Sequence, residues 1–170
     1  MKGNLADQIY ITVILLAFSI MCVISLLIWN SASPALNTTL SQSEGGTLNS
    51  GSAIAITQTH STLLMLDQLF VFIAFGTFIA IIISCFFLDT NPIFFIVSMI
   101  IFVFQFIIYA VLGNVYAVFA TSSDIQATAS LFPFMYMFWS NIPIIALVVS
   151  ILVIIMLYAR MRGKSNGYAA

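Results

Sequence analysis

No lysine or arginine occurs between Lys2 and Arg160. A chain that folds in water needs charge of both signs across its surface, and this one has none of the positive sign over almost its whole length. Its four basic residues, Lys2, Arg160, Arg162 and Lys164, lie at the two ends, outside the long apolar stretches. Charged residues make up 5% of the chain and apolar ones 62%, where soluble domains carry roughly 25% charge. The solvent that suits such a chain is a bilayer. Cationic ends that stay inside predict cytoplasmic termini and an even number of spans.

Four apolar runs fit that expectation: residues 9–29, 63–88, 92–120 and 142–158. The first gives roughly 31 Å of helix, matching about 30 Å of hydrocarbon. It is long enough to span and lacks a small-x-small cleavage motif, so it does not read as a cleavable signal. The third run, at roughly 43 Å, exceeds the core and predicts a tilt or a protruding end. The fold class read from this pattern is an all-α integral membrane protein, one membrane domain over residues 1–170.

The connections are unequal. Residues 31–61 are rich in Ser, Thr, Asn, Gly and Gln, with one Glu; they predict a polar outer loop, disordered without a partner. Asn37-Thr38-Thr39 matches a glycosylation sequon, a short pattern that occurs often by chance. Asp89-Thr90-Asn91 is short, with Asn91 as an N-cap and Pro92 as a first helical residue. That link predicts spans 2 and 3 as a tight antiparallel hairpin. Residues 122–140 form the second outer connection. Ser123-Asp124-Ile125-Gln126 resembles a capping box, predicting a short helix to about Leu131. The aromatic run from Phe132 to Trp139 then predicts a segment lying in the membrane surface. Asn141 would cap span 4, with Pro143 in its first turn.

Within the spans, Asp67 is the sharpest candidate. An ionisable group at membrane depth is costly and invites a functional reading. It sits about one turn into span 2, beside Gln68, where water and a helix N-terminus also favour a carboxylate. Gln105 lies mid-span 3, with Ser98 seven residues earlier on the same face; both predict interhelical hydrogen bonds over a pore lining. Gly76, Ala80 and Ser84, then Gly113 and Ala117, then Ala146 and Ser150 recur at four-residue spacing. Such stripes let backbones approach closely where lipid supplies no hydrophobic drive between helices. Trp29, Tyr136 and Trp139 read as interfacial anchors, as do Arg160, Arg162 and Lys164.

Enzyme chemistry has few residues to work with. His60 is the only histidine and has no metal ligands at sequence spacing. Cys22 and Cys85 fall in apolar spans as packing residues. No phosphate loop or catalytic set appears, no cofactor is indicated, and a net charge of −1 gives no footprint for nucleic acid.

The block from Leu66-Asp67-Gln68-Leu69-Phe70-Val71-Phe72 through Asp89-Thr90-Asn91-Pro92-Ile93-Phe94-Phe95, with Gly113-Asn114-Val115-Tyr116 and Ser140-Asn141-Ile142-Pro143, resembles small multi-span proteins of viruses that enclose a lipid membrane. The resemblance implies a non-enzymatic structural component of a virion's internal membrane, or of the host cytoplasmic membrane. Its partners would be lipid and other membrane or capsid-type proteins, in a homo- or hetero-oligomer. Two further readings fit the same chain: a holin-like or channel-forming protein, and an accessory subunit of a larger membrane enzyme complex.

Overall fold

A computed structural model describes residues 5–43, 50–85 and 92–165. The described residues are helical apart from two short stretches, 121–125 and 130–132, and contain no strand. The helices are α1 (Leu5–Ser43), α2 (Ser50–Cys85), α3 (Pro92–Ala120), α4 (Gln126–Ala129) and α5 (Pro133–Ser165). Four of them, α1, α2, α3 and α5, are long and apolar enough to cross a membrane. The chain is thus an all-α protein with the architecture of a multi-pass integral membrane protein.

Residues 31–43 and 50–61 of the polar segment are helical, not a loop. Helix α1 carries through it to Ser43, and α2 begins at Ser50. The residues that suggested a loop are Ser and Thr, which compete for backbone groups and ordinarily favour turns. Here their hydroxyls turn back onto their own helices. Ser31 donates to the Leu27 carbonyl at 2.9 Å, Thr38 to Pro34 at 2.9 Å, and Thr39 to Ala35 at 2.9 Å. On α2, Thr57, Thr59, Ser61 and Thr62 donate to Ala53, Ala55, Thr57 and Gln58. This one-turn-back bonding satisfies each hydroxyl without melting the helix. At about 1.5 Å per residue, α1 and α2 run roughly 58 and 54 Å, well past a hydrocarbon core of about 30 Å. Their polar thirds form two helical arms.

The long helices pack in a ring: α1 on α2, α2 on α5, α5 on α3, and α3 on α1, with α4 against α1. This corrects the tight hairpin of spans 2 and 3. Among the described residues α2 and α3 are not principal neighbours, because α5 packs on both; the link Asp89-Thr90-Asn91 lies outside the described residues. Where helices meet in lipid, shape and polar bonds choose the partner, so a short connection does not by itself make neighbours.

The α3–α5 contact is the closest. A Cβ on Gly113 would stand 2.8 Å from the Trp139 carbonyl oxygen and 2.9 Å from Ile142 Cγ2. The reason lies in Pro143, which sits inside α5. Proline has no N–H, so the carbonyl four residues earlier, that of Trp139, loses its helical donor. That carbonyl faces Gly113, where the absent side chain lets the backbones meet. Ala146 is buried on the same helix, while Ala117 and Ser150 are half-buried.

Gly76 is different. Nothing lies within 4 Å of a Cβ built there, and Gly76 and Ala80 are both exposed. This stripe faces outward from the chain, and Ala74, buried to 3% exposure, lies on the inward side of α2. The Ser84 side chain lies outside the described residues.

These two glycines make opposite predictions. Gly113→Ala is expected to cost about 1–3 kcal/mol through overpacking, and Gly113→Leu to prevent the α3–α5 contact. Gly76→Leu should change stability by no more than about 0.5 kcal/mol. Thermal unfolding of the purified variants in detergent compares them directly.

Candidate functional site

Helix α5 begins inside the bundle at Phe132-Pro133, where the sequence offers no side-chain cap. A helix start leaves its first N–H groups without intrahelical partners, and in an apolar surrounding each must be satisfied. All of them are accounted for. The Phe132 N–H donates to the Ala129 carbonyl at 3.0 Å. Pro133 has no N–H. The Phe134 N–H donates to Asp67 Oδ2 at 3.0 Å and the Met135 N–H to Asp67 Oδ1 at 2.8 Å. Tyr136 then makes the first helical bond, to Phe132, at 3.1 Å.

Asp67, from α2, is therefore the N-cap of α5 supplied from another helix. It is 3% exposed, and each oxygen takes one amide. The positive end of the helix dipole adds to the attraction for a carboxylate. Gln68, next to it, is exposed and takes no part.

The structure departs from the sequence expectation at three points, the first two of them tied to this remote cap. Span 4 starts at Pro133, not near Asn141. Asn141 is inside the helix, and its Nδ2 donates to the Met137 carbonyl at 2.7 Å. The aromatic segment is not a surface strip, because Phe132, Met135 and Trp139 are all fully buried. Finally, the capping box at Ser123 does not form. Ile125 stands at the cap position of α4 without a side-chain bond, and Ser123 Oγ donates to Asp124 Oδ1 at 3.2 Å instead. The amides of Ile125 and Gln126 go to the Ser122 carbonyl.

Trp139, expected as an interface anchor, is central to the core. Its indole Nε1–H donates to Ser19 Oγ of α1 at 2.9 Å, and the Ser19 hydroxyl donates on to the Leu15 carbonyl at 2.8 Å. The ring stacks on Tyr116 of α3 with centroids 5.9 Å apart, and meets Phe138 edge-on at 5.3 Å. Phe138 in turn meets Phe70 of α2 edge-on at 5.1 Å. One residue so touches α1 and α3 and, through its neighbour, α2. Tyr136 is exposed, consistent with a ring at a boundary, and Trp29 is half-buried against the core.

Gln105 is buried and donates through Nε2 to the Tyr109 hydroxyl one turn on. Thr12 of α1 donates to the same hydroxyl at 3.4 Å. This cluster joins α1 to α3. A cavity of about 10 Å³, lined by Gln105, Tyr109, Ser150 and apolar side chains, adjoins it. That volume is about one water's, not a ligand's. The side chains of Ser98, Arg160, Arg162 and Lys164 lie outside the described residues. Among the described residues no group of His, Cys, Asp or Glu is arranged for a metal.

The fold and its polar links define a four-helix polytopic membrane protein whose buried polar groups bond helix to helix. Comparison with family models, curated proteins and solved structures finds no match.

Sequence reasoning missed Ser19 and Tyr116. Ser19 carried a usable signal, a hydroxyl in the middle of an apolar span. The Ser19–Trp139 bond should show a coupling of about 0.6–1.7 kcal/mol, the range for such bonds in membranes. A double-mutant cycle with Ser19→Ala and Trp139→Phe, read by unfolding in detergent, measures it.

Proposed function

We propose that this chain is a non-enzymatic structural membrane protein. In this reading it orders lipid and contacts partner proteins in a membrane-containing assembly of the virion kind, with both termini cytoplasmic. The observation that carries the proposal is the use made of Asp67. An intramembrane carboxylate is the side chain expected to serve ion passage, yet here both oxygens hold the first turn of α5. Ser19, Trp139, Thr12, Gln105 and Tyr109 likewise bond across or along helices.

The outside of the bundle supports the same reading. Phe72, Phe75, Phe104, Val103 and Val118 are each more than half exposed, which is a surface for lipid tails or for neighbouring apolar helices. The arms of α1 and α2 present hydroxyls and amides without Lys or Arg, a surface suited to hydrogen-bonded protein contact more than to anionic headgroups.

The first test is the composition of the native assembly, by gentle purification and mass spectrometry. Co-purification with capsid-type proteins and lipid at fixed stoichiometry is expected. Travel with redox subunits would place the chain in an enzyme complex, and an isolated homo-oligomer that leaks ions from liposomes would make it a channel. Asp67→Ala separates architecture from transport. It strands the buried Met135 amide and the part-buried Phe134 amide, at about 1–3 kcal/mol for a buried group, so folded yield and assembly should fall sharply. Liposomes carrying the unaltered protein should show no ion flux.

A further inference from the structure

We propose that the contact between Asp67 and the start of α5 is a proton-operated latch: ionised, the carboxylate holds both amides; protonated, it releases at least one and lets the first turn of α5 loosen. This goes beyond the assembly role and rests only on the capping geometry.

The chemistry of the contact sets the argument. An ionised carboxylate is acceptor-only and can serve two N–H donors at once, one per oxygen. The Phe134 and Met135 amides use it in that way. A carboxylic acid has an O–H on one oxygen. Set against an amide N–H, that hydroxyl is a donor facing a donor, so one of the two bonds is weakened or lost. By linkage, amides that bind the ionised form more tightly must be bound less tightly once a proton is present, by the same factor.

The surroundings leave the proton as the available counter-charge. No Lys or Arg occurs between residues 2 and 160. The titratable side chains that share the carboxylate's electrostatic neighbourhood are Cys22 from α1 and Tyr116 from α3. Helix α5 meets Asp67 with backbone amides, and its nearest titratable side chain in sequence, Tyr136, is exposed. On α2 itself His60 lies about two turns away. Asp124, on the connection before α4, is exposed and bonded to Ser123. Tyr116 is fully buried, and its hydroxyl has no hydrogen-bond partner among the described residues.

What the latch controls is the aromatic start of α5. Phe132, Met135 and Trp139 are buried, and release of the first turn would turn the first two outward while the Trp139–Ser19 bond pins the helix below.

Hydrogen exchange at the Phe134 and Met135 amides tests this, with the full chain in lipid nanodiscs and rates corrected for the intrinsic effect of pH. On acidification from neutral pH, protection of these two amides should fall by about tenfold or more while amides in the middle of α3 hold theirs. Asp67→Asn, which imitates the uncharged acid, should show low protection at both pH values and no pH response. Unchanged protection in the unaltered protein overturns the latch, as does a pH response that survives Asp67→Asn. Should that variant fail to fold, infrared spectra of ¹³C-aspartate protein carrying Asp7→Asn, Asp89→Asn and Asp124→Asn decide the matter. The carboxylic C=O band of Asp67 should grow in step with the loss of protection, and its absence overturns the proposal.

Discussion

The rest of the bundle depends on how α5 begins. A helix that starts within an apolar surrounding must find acceptors for its first amides, and Phe132-Pro133-Phe134 provides none. Asp67 supplies them from α2. That fixes the height and orientation of α5 between α2 and α3. With its start fixed, Trp139 falls two turns in, where its indole reaches Ser19 and its ring lies on Tyr116. One turn further, Pro143 frees the Trp139 carbonyl, and Gly113 gives the space for α3 to meet it. Each step follows from the one before only if α5 is held at that register.

Polar groups are few, and their placement suits a lipid solvent. Hydrocarbon tails are as apolar as Leu, so burying a Leu between two helices gains little over leaving it in lipid. Specificity has to come from shape and from hydrogen bonds. The three links join three different pairs: α2 to α5 through Asp67, α1 to α5 through Ser19 and Trp139, and α1 to α3 through Thr12 and Tyr109. Together with the Gly113 contact between α3 and α5, they define one arrangement of four helices. No pair repeats a bond made elsewhere, so loss of any one link frees a particular degree of freedom.

The membrane class and the presence of four apolar helices were legible because they rest on long-range composition: the absence of Lys and Arg between residues 2 and 160, and apolar runs of spanning length. Gly113 was legible too, as a small residue at helix-packing spacing. The start of α5 was not. Sequence patterns for helix starts look for a cap within a few residues, and Asn141-Ile142-Pro143 offered a convincing false one. The true cap is far away in the chain, and nothing local to Phe132 announces it. Asp67 itself was visible as an ionisable residue at depth, but its partners are backbone amides, which leave no mark in a sequence. The outward direction of Gly76 was not legible for a related reason: spacing defines a face without saying which way it points.

The arms show how the same residues read differently once their bonds are known. Ser and Thr favour turns when water and backbone compete for their hydroxyls. In residues 31–43 and 50–62 those hydroxyls bond the carbonyl one turn back along their own helix, so the competition resolves inside the helix. The helix gains hydroxyl-studded sides without charge, and needs no interruption at the membrane boundary. Pro34 sits within α1, and the carbonyl it leaves free is that of Asn30, four residues earlier. That position immediately follows Trp29, near the end of the apolar run, where water can take the place of the missing donor. A proline there costs less than one in the hydrocarbon. Pro143, deeper in its span, requires a neighbouring helix to close on the carbonyl it frees, and α3 does so at Gly113.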